Sequence, residues 1–179
     1  MAAPRFVPWR PGDRAYLPLV GALVAILVTL LVVLYGLNTV IRVDGDSMYP
    51  ALHDEDRVLV TRGYGEPRRG DIVTLVEPMG GAGDGLIKRI IAVGGDTVTI
   101  EGDVAYVNGV RSAVAPEAVI GPDTRGFAPV EVPEGWVYLM GDNRPTSLDS
   151  RHFGIVPDVA LRGRVIAVIS PVTRFRLMD

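Results

Sequence analysis

Residues 86–107 read LIKRIIAVGGDTVTIEGDVAYV, and this stretch decides the fold class. Leu86–Val93 is rich in β-branched side chains, and Thr97–Glu101 alternates apolar and polar side chains with the period of two that is typical of a strand. Between them stands a Gly-Gly-Asp turn, and Gly102-Asp103 predicts a second turn into Val104–Val107. The stretch therefore predicts successive strands joined by short turns.

Other parts of the chain show the same strand pattern. It recurs at Arg57–Thr61, Asp71–Val76, Trp136–Met140 and Arg164–Ile169. Residues 77–85 and 112–129 are rich in glycine and proline and are expected to be loops. Outside the N-terminal apolar run, no stretch shows a convincing helical period. The sequence predicts a mostly β domain over residues 42–179, which is a usual single-domain size.

An uncharged run precedes this β region. Leu17–Leu37 reads LPLVGALVAILVTLLVVLYGL, which as a helix spans about 32 Å, close to the hydrocarbon core of a bilayer. A cleaved signal peptide would have a shorter apolar core followed by a small-x-small site, and residues 37–40 contain no such site. We therefore predict one transmembrane helix over residues 17–41 after a short N-terminus of residues 1–16.

The charges that flank the apolar run predict its orientation. Arg5, Arg10 and Arg14 precede the run, while one arginine and several acidic residues follow it closely. An excess of arginine marks the cytoplasmic side of a membrane. The sequence predicts a single-pass protein of the plasma membrane, with a cytoplasmic N-terminus and an extracytoplasmic β domain.

Composition excludes several kinds of site. The chain has no cysteine, so disulfides, thiol nucleophiles and thiolate metal sites are absent. His53 and His152 are too few for a zinc site without several carboxylates. The net charge of −3 argues against nucleic-acid binding, which usually needs a basic face. We expect no metal and no organic cofactor.

Three clusters carry the side chains that are capable of chemistry. In Asp44–Pro50, a tight turn at Gly45 would expose the Ser47 hydroxyl, although an ordinary β-turn capped by its own polar side chains has the same pattern. Lys88 shares a strand face with aliphatic residues, which suits either a buried amine or a charged residue on an edge strand. If Lys88 is buried, its pKa falls and the neutral amine becomes a usable base toward a serine hydroxyl.

The third cluster is Met140–Gly154, which packs acidic and basic side chains among three hydroxyls. One interpretation is a surface loop held by its own salt bridges, each of which contributes little when exposed. The other is a polar wall that orients a neighbouring amine by hydrogen bonds.

Four ordered segments now suggest a family. They are GDSMYPAL (45–52), RRGDIVTL (68–75), IKRIIAVGGDTV (87–98) and GDNRPTSLDSRHFG (141–154). In this order after one apolar helix, they strongly resemble the characteristic segments of bacterial type I signal peptidases, the S26 family, of the single-anchor type. The resemblance implies a β catalytic domain of the kind shared with repressor-type peptidases.

The resemblance also implies roles for residues. Ser47 matches the nucleophile, Lys88 the general base, and Ser147 the hydroxyl that orients the amine. The Ser47 backbone N–H would bind the oxyanion, and Met48 would line the substrate pocket. Four charged positions that shape the site are matched by Asp142, Asp149, Arg151 and Arg89. Substrates would carry small side chains at the first and third positions before the cut, typically alanine.

Two positions depart from the pattern of some members of the family. Gly45 stands where some members have a serine whose hydroxyl helps to bind the oxyanion, so the second donor of this chain is not assigned. Pro145 stands where an acidic residue is common and cannot supply that charge.

The sequence therefore predicts a membrane-bound serine endopeptidase that removes signal peptides from secreted preproteins. Its expected partners are these signal peptides, the lipid bilayer and the secretion translocon. The alternatives are another membrane-associated Ser–Lys protease, a Ser–His protease that uses His53 or His152, and a non-catalytic anchored β scaffold of the secretion machinery.

Overall fold

The computed structural model describes residues 16–63, 65–76, 85–115, 117–121 and 126–178, except for the side chains of residues 33–35. The chain divides into two units at Leu37. The first unit contains helix α1, Leu17–Leu37, which is 21 residues long. Among the described residues, no helix is both long and apolar enough to cross a bilayer, so the transmembrane anchor stays a prediction. Nearly all of the predicted cytoplasmic N-terminus, residues 1–15, lies outside the described residues.

The predicted helical segment of residues 17–41 needs a correction at its C-terminal end. Helix α1 ends at Leu37, and Asn38–Arg42 forms strand β1, which pairs antiparallel with Arg57–Arg62. Thr39, Val40 and Ile41 are β-branched and suit a strand as well as a helix. The pairing partner decides between the two, and it is 15 or more residues away in the sequence.

The second unit, from Asn38 onward, contains two antiparallel sheets. In chain order the described strands are β1 (Asn38–Arg42), β2 (Arg57–Arg62), β3 (Ile72–Leu75), β4 (Leu86–Val93), β5 (Thr97–Glu101), β6 (Val104–Val107), β7 (Val110–Arg111), β8 (Gly126–Glu131), β9 (Trp136–Met140), β10 (Val156–Pro157), β11 (Leu161–Ser170) and β12 (Arg176–Leu177). The larger sheet has the order β1-β2-β11-β3-β4-β9-β10, with β12 paired to β11. The smaller sheet has the order β7-β6-β5-β8.

Short helices occupy some of the connections. Helix α2 is Ser150–Phe153, and 3₁₀ turns lie at Arg144–Thr146, Asp158–Ala160 and Val172–Arg174. The α2 helix begins with a capping box in which the Asp149 carboxylate accepts from the Arg151 N–H, and the Asp149 N–H donates to His152 Nδ1. Four residues are too few to produce a helical period in the sequence, which is why the helix was not predicted.

The mostly β domain is confirmed, and β4, β5, β6 and β9 have the predicted bounds. The loop predicted over residues 112–129 is wrong at its C-terminal end, because β8 begins at Gly126 and pairs with β5. Pro129 lies within β8, where the pattern of glycine and proline indicated a loop. Strand β8 lies at one edge of the smaller sheet, and an edge strand can accommodate proline.

Aliphatic side chains from both sheets form the core around β4. One cluster combines residues of the smaller sheet with Ile91, Ala92, Tyr138 and Met140 of the larger sheet. A second cluster contains Ile90 and Leu139, each fully buried. Strand β4 is therefore covered on both faces as well as paired on both sides, which makes it a rigid support for any side chain that it carries.

Candidate active site

The two predicted reactive side chains meet in the structure. Lys88 Nζ donates a hydrogen bond to Ser47 Oγ at 2.9 Å and another to the Ile87 carbonyl oxygen at 2.9 Å. Ser47 lies in the turn that follows β1, whereas Lys88 lies on β4. A neutral amine at this distance can accept the proton of the hydroxyl and so generate a nucleophilic oxygen.

The environment of Lys88 favours this neutral form. Only 2% of the residue is exposed, and β4 lies between β3 and β9, so the interpretation as a charged residue on an edge strand is wrong. Burial lowers the pKa of Lys88 to about 8, although the carboxylates of Asp149 and Asp142 act in the opposite direction. With that pKa, about a fifth of the amines are neutral at pH 7.4, against about one in a thousand for an exposed lysine.

The turn around Ser47 leaves one backbone donor available. Gly45 has a φ of 85°, a conformation that favours glycine, and its N–H donates to Asp54 Oδ1 at 2.9 Å. The Tyr49 N–H donates to the Asp46 carbonyl oxygen at 3.0 Å. Within the described part of the chain, the Ser47 N–H has no hydrogen-bond partner. The donor predicted for an oxyanion is therefore free to bind one.

A second segment, residues 141–151, packs against the Ser47 turn and is called the site loop here. The Asn143 N–H donates to the Ser47 carbonyl oxygen at 3.0 Å. A Cβ atom on Gly141 would lie 2.5 Å from that same oxygen and 2.2 Å from Ser147 Oγ. Because real Cβ atoms do not approach other atoms so closely, only glycine allows the site loop to contact the nucleophile turn here.

Ser147 lies near the pair but makes no hydrogen bond with the amine. The residue is 4% exposed, and its hydroxyl has no hydrogen-bond partner among the described residues. The Ile87 carbonyl oxygen occupies the place of second acceptor for Lys88 Nζ. The orienting bond that the resemblance implies for Ser147 is thus not formed in this structure, although a buried hydroxyl without a partner is available to form it.

Two buried ion pairs hold the site loop. Arg89 donates from Nε and Nη2 to the Asp142 carboxylate, at 2.9 and 2.6 Å. Arg151 donates from Nε and Nη2 to Asp149, at 2.8 and 2.9 Å. Asp142 is 1% exposed and Asp149 is fully buried. The interpretation of this cluster as an exposed loop with weak surface salt bridges is therefore wrong.

The structure adds one residue that the sequence did not indicate, Asp103, and it gives a partner to Arg144 of the third cluster. Asp103, which was assigned only to a turn, accepts a hydrogen bond from Arg151 Nη1 at 2.6 Å. Arg144 is 4% exposed and donates to the Asp103 carbonyl oxygen at 2.8 Å. A Gly-Asp turn is common in hairpins, so nothing in the local pattern signals that this aspartate contacts a loop some 40 residues further along the chain.

A cleft of about 410 Å³ opens beside the Ser–Lys pair. Met48, which the resemblance places in a substrate pocket, lies in the wall of this cleft and is 1% exposed. The lining residues are Ile41, Arg42, Val43, Asp44, Ser47, Met48, Thr74, Gly85, Leu86, Ile87 and Lys88. Aliphatic side chains such as Ile41 and Leu86 share this wall with polar or charged ones such as Asp44 and Thr74, so the cleft is of mixed polarity.

Among the described residues, neither histidine forms a hydrogen bond with Ser47. His53 donates its backbone N–H to Asp56, and its ring packs at a tilt of 46° against the ring of Tyr49, with 4.9 Å between the centroids. His152 accepts at Nδ1 from the Asp149 N–H in the helix cap. The recorded side-chain partner of the Ser47 hydroxyl is Lys88. This geometry does not support the Ser–His alternative.

The chain also matches a known protein family and several known proteins. The family model "Signal peptidase, peptidase S26" matches residues 16–170. Signal peptidase I of Bacillus licheniformis is 37% identical, covering 76% of this chain and 79% of its own, and signal peptidase I S of Bacillus subtilis (strain 168) is 38% identical, covering 75% and 78%. The crystal structure of a signal peptidase I from Enterococcus faecalis V583 is 32% identical and covers 56% of this chain and 97% of its own, with a TM-score of 0.46.

Proposed function

The chain belongs to the signal peptidase family, peptidase S26, and we propose that Ser47 is its nucleophile and Lys88 its general base. The protein is a serine endopeptidase that removes signal peptides from preproteins. The observation that carries the assignment of roles is the 2.9 Å contact between Ser47 Oγ and the buried Lys88 Nζ.

The proposed reaction is acyl transfer in two steps. Neutral Lys88 accepts the Ser47 proton while Oγ forms a bond to the carbonyl carbon at the cleavage site. The C–N bond then breaks, the Lys88 ammonium gives its proton to the departing amine, and the signal peptide remains as an ester of Ser47. Water attacks this ester while one of its protons passes to Lys88. The bond between the acyl carbon and Oγ then breaks, Oγ takes this proton back from the Lys88 ammonium, and the released carboxylic acid of the signal peptide ionises to a carboxylate.

The Ser47 N–H is proposed as the first donor to the oxyanion of each tetrahedral intermediate. Its support is the absence of a partner for this N–H among the described residues. The Gly45 N–H is bonded to Asp54, so it is not the second donor, and a water molecule or another amide takes that role. Loss of one such donor typically costs about 3 kcal/mol of transition-state stabilisation.

The site loop is proposed to position the pair. Asp142 and Asp149 anchor the loop through Arg89 and Arg151, while Ser147 holds a hydroxyl that can turn toward the Lys88 amine during the reaction. The two carboxylates also keep negative charge near the ammonium that forms on Lys88.

The substrate is proposed to bind in the cleft beside Ser47 as an added strand. Main-chain hydrogen bonds to an added strand supply affinity, and pockets for alternate side chains supply selection. The 410 Å³ cleft, whose wall includes Met48 and the aliphatic Leu86 and Ile87, is proposed to hold small side chains at the first and third positions before the cut. Cleavage would then follow Ala-x-Ala motifs.

We also propose that α1 anchors the protein in the plasma membrane, with the N-terminus cytoplasmic and the β domain outside. The support is the uncharged composition of Leu17–Leu37 and the three arginines that precede it. A bilayer and the secretion translocon would then be partners, since the emerging signal peptide is presented there.

The decisive experiment compares Ser47→Ala and Lys88→Ala with the unchanged protein in detergent, using a preprotein with an Ala-x-Ala site. Both variants should lose cleavage while they keep the native circular dichroism and melting temperature, and mass spectrometry should place the wild-type cut after the second alanine. Ser112→Ala is a matched control, since Ser112 lies outside the site and should tolerate the change. Cleavage by either active-site variant, or a cut elsewhere, would contradict the assignment.

A further inference from the structure

Asp103 connects the smaller sheet to the site loop. It lies in the turn between β5 and β6 and is 2% exposed. Its carboxylate accepts from Arg151 Nη1 at 2.6 Å and from the Gly121 N–H at 2.8 Å, and its carbonyl oxygen accepts from Arg144 Nη1 at 2.8 Å. One residue in a turn of the smaller sheet therefore holds two segments, the site loop at two points and the segment 117–121 at one.

A first series of contacts leads from Asp103 to the nucleophile. Arg151 bridges Asp103 and Asp149, with its Nε and Nη2 on the second carboxylate. The Asp149 carboxylate accepts from the Gly141 N–H at 3.0 Å. Gly141 in turn packs against the Ser47 carbonyl oxygen so closely that no Cβ atom fits between them. A displacement of Arg151 is thus transmitted to the backbone that supports Ser47.

A second series of contacts runs through the segment 117–121. Asp103 holds Gly121, and Val119 pairs with the site loop in both directions: its N–H donates to the Asp142 carbonyl oxygen at 2.8 Å, and its carbonyl oxygen accepts from the Arg144 N–H at 3.1 Å. The Asn143 N–H between these two residues donates to the Ser47 carbonyl oxygen. Both series of contacts end at the same atom of the nucleophile turn.

We propose that Asp103 is a positioning residue for the peptidase reaction, acting through Arg151 and Arg144 on the backbone that carries Ser47. The proposal rests on the proposed roles of Ser47 and Lys88. Asp103 touches neither of the reacting side chains, so its effect is on their placement. The buried Arg151 side chain forms ion pairs with two carboxylates. If the Asp103 carboxylate is removed, Asp149 is the one remaining ion-pair partner of Arg151 among the described residues.

The same change has an electrostatic consequence at Lys88. The charged groups that act on Lys88 are Asp149 and Asp142. Those around Asp103 are Arg151, Arg144 and Asp149, with the Tyr138 hydroxyl nearby and neutral, since burial raises its pKa. Without the Asp103 charge, Arg151 offsets more of the Asp149 charge, and the Lys88 ammonium loses part of its stabilisation. The amine then titrates at a lower pH.

The test is Asp103→Asn in the full chain, measured as kcat and KM across pH. We expect kcat to fall about tenfold with little change in KM, and the midpoint of the kcat/KM profile to move to lower pH by about half a pH unit. Asp96→Asn is the matched control. Asp96 lies in the β4–β5 turn, is 5% exposed and forms an ion pair with Arg69, and it has no hydrogen bond with the described residues of the site loop. It should leave both kcat and the midpoint near the wild-type values.

The outcomes separate this proposal from the proposed function. If Asp103→Asn behaves like Asp96→Asn while Lys88→Ala is inactive, the positioning role is wrong and the catalytic pair stands. If Lys88→Ala is active, the proposed function itself fails. Asp103→Glu covers the case in which the asparagine variant does not fold. It keeps the charge, so kcat should fall while the midpoint stays, and a shift to lower pH in this variant would overturn the proposal.

Discussion

The pH dependence of cleavage tests the central claim about Lys88, namely that burial makes the amine a base at physiological pH. The structure lowers the pKa of Lys88 to about 8. Because the neutral amine is the active form, kcat/KM should rise with pH and level off above the pKa. From pH 8 to pH 10 the neutral fraction then increases about twofold, whereas a solvated lysine would give an increase of about 75-fold over the same range.

The chain offers a direct measurement of the same quantity. Lys88 is the only lysine of the sequence, so protein labelled with [13Cε]lysine gives one lysine signal in an NMR spectrum. Its chemical shift should titrate with the same midpoint as kcat/KM, near pH 8. Ser47→Ala should keep this signal and lose cleavage. An NMR midpoint above pH 9.5, or a kcat/KM profile that still rises about sevenfold from pH 9 to pH 10 as expected for a solvated lysine, would refute the argument from burial.

Two other changes test the geometry of the site. Gly141→Ala should reduce cleavage at least about 100-fold and destabilise the fold by about 3 kcal/mol, because the new methyl group overlaps the Ser47 carbonyl oxygen. Gly126→Ala, which has open space at Cβ, should be nearly neutral in the same activity and melting assays, and equal behaviour of the two variants would contradict the packing argument. The double replacement His53→Ala and His152→Ala should keep kcat within about threefold, with a melting temperature lowered by the loss of a helix cap. Loss of cleavage in the folded double variant would favour a Ser–His mechanism.

The local pattern of side chains was sufficient to predict most strands of the larger sheet and some strands of the smaller one. Leu86–Val93 and Thr97–Glu101 have the bounds predicted from their side-chain period and their flanking turns. These strands are bounded by glycine and aspartate, which carry a conformational preference of their own. Where that local signal is weak, the prediction failed. Asn38–Arg42 was joined to the apolar helix, and Gly126–Glu131 was assigned in part to a loop, because in both cases the pairing strand decides the conformation.

The candidate site was predictable as a set of residue types rather than as a geometry. Because the chain has no cysteine and only two histidines, lysine was the candidate base for a serine. The resemblance of four segments then assigned the catalytic roles to Ser47 and Lys88. The expected hydrogen bond from Ser147 to the amine is replaced by one to the Ile87 carbonyl oxygen. The contacts of Asp103 were missed, because no sequence period connects a hairpin turn to a loop some 40 residues away.

Sequence alone determined that this chain has an uncharged N-terminal run, a β domain and one lysine that stands among aliphatic residues of a strand. The order of the strands in the folded sheet decided whether that lysine is an exposed cation on an edge strand or a buried amine. As an edge residue Lys88 would be an ordinary solvated cation, but its strand lies between β3 and β9 and the residue is 2% exposed, so the amine is removed from water. Desolvation is a property of the three-dimensional neighbourhood, so the sequence names the base while only the folded sheets set its pKa.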